Sequence, residues 1–396
     1  MELTRVIHPI GQGGFYTETF KDDNDKEVFN VVYDCGGFLD SFNQTKSAKQ
    51  KMENYLQSNK TSEGEVVVFI SHLHEDHING LEWLLKHTNV KYLFLPQLTD
   101  NVVLEFLLYN MTFSHNHSVA NSLILKIKNN DTDLLKDTKV IQINSDFVDN
   151  SSLENAISLD GNNSINSTYP YRTGTIFQYK GWLYIPFNSP AKPIVSGSSF
   201  YDYVKDKVNN KTDFKIEDVE SIYKNDPEKC KKAYKDYFGK EHNTYSMPVF
   251  SGLEPPFARI LKRCCWPQYK HSFCCNHCDS LLCCSPNFLY TGDFEPNNQI
   301  PETNLNNVDL IKNYLNKLQL WDTISGIQVP HHGSRDNYNA QLYVHPGVGY
   351  ISVGSKNVHK HPNVDTLVNI QKERCWPIVV SEDPSSMQVE VYRFRD

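Results

Sequence analysis

Short apolar runs broken by polar turns open the chain. Val6-Ile7-His8-Pro9-Ile10, the alternating Phe15–Phe20 and the run Val28–Tyr33 each have strand length. Gly11-Gln12-Gly13-Gly14 and the polar Lys21–Lys26 separate them as turns. Residues 44–59 read as a polar helix. The β-branched run Glu65–Ile70 then predicts a buried strand that leads straight into a histidine-rich segment. Leu81-Glu82-Trp83-Leu84-Leu85 opens a helix after Gly80, and Val90–Leu95 is the next strand. Residues 97–130 read as helical at first and polar later, and the Asn/Ser/Asp-rich residues 144–168 as a loop.

Strand character resumes over 175–187 and yields to a charged, Lys- and Tyr-rich helical stretch at 200–240. It returns at Ser246–Phe250 and Phe288–Tyr290. A helix over Asp309–Leu320, strands at Gly326–Val329 and Gly349–Val353, and a final helix and strands complete the chain. There is no internal repeat. Strands alternating with helices, each strand ending at a polar motif, predict a layered α/β architecture. At 396 residues the chain reads as a single elaborated domain, 1–396, carrying a charged helical insertion at 190–242 and a Cys-rich one at 254–286.

Composition narrows the possibilities only a little. The apolar, charged and aromatic fractions (39%, 22% and 12%) are those of a soluble folded protein. The N-terminus lacks the basic start and apolar run of a secretion signal, so the reading is cytoplasmic, without membrane association. A net charge of −8 disfavours extended nucleic acid as a partner but leaves small phosphate-containing substrates open. The inserted segments are candidate surfaces for a protein partner.

The chemistry concentrates in Ser71-His72-Leu73-His74-Glu75-Asp76-His77. In an extended segment His72 and His74 project to one side, so both imidazoles can reach one metal ion. Asp76 and His77 follow as the chain turns, offering a carboxylate and an imidazole to a second ion. Such a motif at the C-terminal end of a buried strand lies where α/β folds place their sites.

This motif resembles the signature of the metallo-β-lactamase superfamily, and further matches follow in order. They are Thr291-Gly292-Asp293, Val329-Pro330-His331-His332-Gly333-Ser334 and Ile351-Ser352-Val353-Gly354 with His361-Pro362. With Gly11-Gln12-Gly13 and Asp34-Cys35-Gly36-Gly37 near the start, they resemble the branch that includes the nuclease-like domain of bacterial competence (DNA-uptake) proteins. The resemblance implies an αββα sandwich, two β-sheets with helices on the outer faces. It implies the metal ligands His72, His74, Asp76, His77 and Asp293, with His361 as the closing histidine. His331 or His332 would then bind metal or the substrate's anionic group, and Ser334 would donate a hydrogen bond. Many members supply a further first-site histidine; here the corresponding segment is His242-Asn243-Thr244-Tyr245-Ser246, and His242 is the local candidate.

An imidazole- and carboxylate-rich site suits one or two zinc ions, with manganese the alternative. The implied reaction is hydrolysis of a phosphodiester by metal-activated water. Asp76 would orient the attacking hydroxide, and His331, His332 or His361 would stabilise charge in the transition state. Hydrolysis of a lactone, thioester or amide on the same site, or a non-catalytic partner-binding module, are the competing readings.

Seven of the ten cysteines lie between Cys264 and Cys284. Without a secretion signal such a cluster points to metal before disulfides. Cys275-x-x-Cys278 has the spacing that grips a structural zinc, with either flanking pair, Cys264-Cys265 or Cys283-Cys284, completing the tetrahedron.

Overall fold

The computed structural model describes residues 1–37, 64–113, 117–148, 152–160, 165–189, 198–209, 214–239, 245–254, 260–266, 285–300, 303–355, 357 and 360–394. Its strands, in chain order, are β1 (Glu2–Ile7), β2 (Phe15–Lys21), β3 (Glu27–Cys35), β4 (Glu65–Phe69), β5 (Val90–Pro96), β6 (Lys139–Phe147), β7 (Ile157–Ser158), β8 (Tyr171–Thr173) and β9 (Phe177–Tyr179). They continue as β10 (Trp182–Pro186), β11 (Val249–Leu253), β12 (Ile260–Trp266), β13 (Phe288–Tyr290), β14 (Gly326–Gln328), β15 (Val348–Ser352), β16 (Trp376–Val380) and β17 (Gln388–Phe394).

Two sheets result. One runs β12-β17-β1-β2-β3-β4-β5-β6-β8, the other β16-β15-β14-β13-β11-β10-β9-β7. The parallel sets run from β3 to β6 in the first sheet and from β13 to β16 in the second; their inner members β3, β4, β5, β13, β14 and β15 are buried on both faces, which is why these read as apolar runs. Between the sheets lies an aromatic-rich core including Tyr33, Phe69, Phe94, Tyr184 and Tyr290. Helices cover both outer faces. On the first sheet these are α1 (Glu75–Ile78), α2 (Leu81–His87), α3 (Asp100–Phe113), α4 (His117–Lys128) and α5 (Thr132–Leu135). On the second they are α9 (Asn307–Lys317) and α10 (Val364–Lys372). The architecture is an αββα sandwich, as the resemblance implies.

The charged stretch after residue 200 forms α6 (Phe200–Val204), α7 (Val219–Asn225) and α8 (Pro227–Phe238). They bury Phe200, Val204, Val219, Tyr234 and Phe238 against α3, so the insertion extends the same core instead of building its own. Asp226 caps α8 through the Lys229 N–H, with Pro227 in the first turn. An Asn306/Asp309 capping box starts α9 earlier and Leu318 ends it sooner than the apolar pattern alone predicts.

Three expectations need correcting. The polar half of 97–130 is helical as α4, since Ala120, Leu123, Ile124 and Ile127 supply a buried stripe. The 144–168 loop is shorter, because β6 runs on to Phe147 and β7 follows at Ile157. Strand character is not interrupted throughout the Cys-rich segment. Ile260–Trp266, which contains Cys264, is the edge strand β12, antiparallel to β17. The predicted helix at 44–59 and Cys275, Cys278 and Cys283 lie outside the described residues. Among the described residues no helix is long and apolar enough to cross a membrane.

A buried charge network links the sheets, and nothing in the linear pattern announced it. Arg5 bonds Glu18 at 2.9 Å, Glu390 at 3.0 Å and the Pro286 carbonyl at 2.9 Å. The hydroxyls of Tyr184, Tyr290 and Ser251 donate to Glu18, and those of Tyr350 and Tyr392 to Glu390. Each buried carboxylate is thus multiply bonded, the condition under which such ions are tolerated in a core.

His8 provides a pH-sensitive element. It is buried, stacks on Phe15 with centroids 4.2 Å apart and shares a hydrogen bond with Thr17. Burial lowers its pKa to about 3. The unfolded chain therefore binds a proton below the ordinary pKa of about 6.5 that the folded chain refuses until about 3. Stability is lost as pH falls through that window. Between pH 7 and 5 His8 alone is expected to remove about 2 kcal/mol. Urea unfolding at both pH values should show His8→Gln losing less stability than the unsubstituted protein by that amount; equal losses would assign the pH dependence elsewhere.

Candidate metal centre

The site lies where strands from both sheets end. His72, His74, Asp76 and His77 follow β4, Asp293 follows β13, and His331-His332 follow β14. Two groups of three ligand-bearing side chains form there, His72/His74/Asp293 and Asp76/His77/His332, with the ligand atoms in each within 4.8 Å of one another. Asp293 faces both groups. Its Oδ2 is 3.7 Å from His72 Nε2, while its Oδ1 is 3.4 Å from His77 Nε2 and 3.5 Å from His332 Nε2. His332 Nε2 also lies 3.6 Å from Asp76 Oδ2.

These separations decide what the cluster suits. They exceed hydrogen-bond length. Two atoms on a tetrahedral ion with bonds of about 2.0–2.1 Å sit about 3.4 Å apart. The Nε2 atoms of His72, His74, His77 and His332 are buried and lack a hydrogen-bond partner among the described residues. Buried imidazole nitrogens left in this way cost stability unless something else binds them. The donor set therefore fits divalent metal of the zinc or manganese type.

Electrostatics point the same way. Burial pushes His72 and His74 well below the ordinary histidine range, leaving them neutral with lone pairs to give. Burial also opposes charge on His77, but Asp34, Asp76 and Asp293 outweigh it and raise its pKa. Likewise burial disfavours the ionised Asp293, yet His331, His332 and His77 hold its carboxyl well below the usual range. In the metal-free protein the imidazolium of His77 thus balances carboxylates that a divalent ion would neutralise, so metal uptake displaces protons.

A second set of contacts orients the rings. Asp34 accepts from His77 Nδ1 at 2.8 Å, from the Ser71 N–H at 2.7 Å and from Ser71 Oγ at 2.8 Å. His72 Nδ1 lies 2.8 Å from Ser71 Oγ, and His332 Nδ1 lies 2.8 Å from the Ser352 carbonyl. His331 and His332 both have left-handed backbones (φ 48° and 54°), turning His332 inward. Gln328 Oε1 accepts the N–H groups of Thr291 and Gly292, fixing the turn that presents Asp293. At Gly13 (φ 117°) a Cβ would sit 2.2 Å from the Asp76 carbonyl, so the N-terminal glycine turn is what lets the metal loop close down.

The structure therefore brings together His72, His74, Asp76, His77, Asp293 and His332. Among the described residues His332, and not His361 as the resemblance implied, joins the second group. His361 lies outside both groups, its backbone tied to Asn357 and its ring 5.7 Å from that of His331. His331 flanks the cluster, Nε2 4.0 Å from Asp293 Oδ2 and a quarter exposed. Ser334 is buried behind this turn, its N–H donating to the His331 carbonyl, and its hydroxyl has no hydrogen bond to the cluster. His242 lies outside the described residues. The sequence reading missed Asp34 as the partner of His77, although its glycine-flanked position at the end of an apolar strand was a visible signal.

No curated protein matches the chain. Among solved structures it is similar to the crystal structure of unliganded yeast PDE1, at 10% identity and a TM-score of 0.43, covering 98% of this chain and 99% of that one. Residues 27–93, which carry β3, β4 and the clustered His72, His74, Asp76 and His77, match the family described as the Metallo-beta-lactamase superfamily.

Proposed function

We propose that the protein is a metal-dependent hydrolase that cleaves a phosphodiester of modest size. The observation that carries this reading is Asp293 set between two ligand groups, with the His331 and His361 imidazoles beside them. Divalent ions held by His72/His74/Asp293 and Asp76/His77/His332 would supply Lewis acidity toward a phosphoryl oxygen and acidify water. The side chains supply the rest. Asp76, the more exposed of the two clustered carboxylates, accepts a hydrogen bond from water and orients it. His331, at the edge of the cluster, donates a hydrogen bond to a non-bridging oxygen, and His361 adds a second donor on the same side.

Zinc is the favoured ion, manganese the alternative, and net acidity favours a nucleotide-sized substrate over long nucleic acid. The helical insertion and the Cys-rich segment are, in this reading, elaborations of one domain, the latter with its own structural zinc and a partner-binding role. Purified protein should turn over bis-p-nitrophenyl phosphate, lose that activity on chelation and regain it with Zn²⁺ or Mn²⁺. Turnover of lactone or thioester substrates with none on the diester would overturn the substrate class.

A further inference from the structure

The four clustered imidazoles are not held alike. His72, His77 and His332 each have Nδ1 within 2.8 Å of an oxygen, on Ser71, Asp34 and Ser352 respectively. Such a bond fixes both ring orientation and tautomer, so that Nε2 carries the lone pair. The His74 ring has no hydrogen bond among the described residues. It lies flat on Tyr109 instead, with centroids 3.6 Å apart and planes 9° from parallel, while Phe106 meets it edge-on at 5.5 Å.

Both aromatics come from one face of α3, one turn apart, and the next residue, Asn110, donates to the Leu73 carbonyl at 3.1 Å. Tyr234 of α8 stands behind them. Its ring is 6.1 Å from Tyr109, edge to face, and 6.0 Å from Phe113. The helical insertion thus braces the ring that presses on a metal-binding histidine.

We infer that Tyr109, backed by Tyr234, is the positioning residue of His74 and sets the metal affinity of the His72/His74/Asp293 group separately from that of the other. This rests on the metal-centre reading above. A flat stack stops the imidazole tilting but does not select its tautomer, so this group is the weaker of the two. An ion held by His74 would draw electron density from its imidazole. The electron-rich face of Tyr109 stabilises the ring more once it is loaded, an effect an aliphatic side chain cannot supply.

The test is zinc binding to the metal-depleted full-length chain, titrated against a chromophoric chelator, with Co²⁺ absorption as a second readout. Beside the structural zinc proposed for the Cys-rich segment, two binding steps of unequal affinity are expected from the two His/Asp groups. Tyr109→Phe, which keeps the ring, should stay within about twofold of the unsubstituted protein in both steps. Tyr109→Leu should weaken the weaker step by about tenfold, the low end of the range for lost ligand support. It should also perturb the Co²⁺ bands of that step and spare the tighter one. Tyr234→Leu should shift the same step in the same direction by a smaller factor.

Unchanged binding in Tyr109→Leu would overturn the inference. So would equal weakening of both steps together with a lowered melting temperature, which would make Tyr109 a packing residue. If the unsubstituted protein binds zinc and His72→Ala leaves every step unaltered, the metal-centre reading itself fails, a result distinct from either.

Discussion

Asp293→Ala is expected to release metal from both ligand groups and to cut phosphodiester turnover by about a thousandfold, the equivalent of the several kcal/mol that bound ions contribute to charge stabilisation. The reason is its placement. One carboxylate oxygen faces His72 and the other faces His77 and His332, so a single substitution removes a member of the first group and the carboxylate that faces the second. It also removes the negative charge beside His331. Elemental analysis and bis-p-nitrophenyl phosphate turnover on the same samples check it. Metal content unchanged by the substitution, with no turnover in either protein, would move the protein to the partner-binding reading.

Asp34→Ala should damage both stability and metal binding without touching a ligand. Its carboxylate is completely buried and serves three donors, the His77 imidazole, the Ser71 N–H and the Ser71 hydroxyl. Burial raises its pKa, and the contacts with His77 and Ser71 oppose that rise. Removing it strands a buried imidazolium and a backbone N–H, at a cost of about 3–5 kcal/mol in the metal-free protein. Zinc affinity of the Asp76/His77/His332 group should fall 10- to 100-fold, as for other lost ligand supports. Asp34→Asn should be milder in stability, since it can still accept from the Ser71 N–H. It should remain impaired in metal binding, because an amide turned toward His77 Nδ1 cannot hold the ring in the same tautomer. Denaturant unfolding and zinc titration separate the two effects. Full metal affinity in both variants would show that His77 needs no support from Asp34.

The first ligand motif was legible because it is local. His72, His74, Asp76 and His77 lie within six residues after a buried strand, and backbone periodicity alone puts two of the imidazoles on one side. Strands β3, β4, β5 and β13 were equally plain, because burial on both faces demands continuous apolar runs. The helix α4 and the strand β12 were not. One is a polar-looking segment whose sparse apolar positions become a buried stripe once α3 is beside it. The other is an edge strand whose pairing depends on β17 at the far end of the chain.

What the sequence by itself determined, then, is the set of metal-seeking residue types and the strand ends that carry them. Tertiary structure alone decided how they are shared. Two left-handed residues in succession turn His332 into the cluster and leave His361 outside it, which no spacing rule distinguishes. Asp34 reaches His77 from 43 residues away, and Tyr109 reaches His74 from helix α3. Ligand identity follows from local chemistry, whereas orientation and support depend on contacts between elements distant in the chain, and those exist only once the two sheets and their helices have packed.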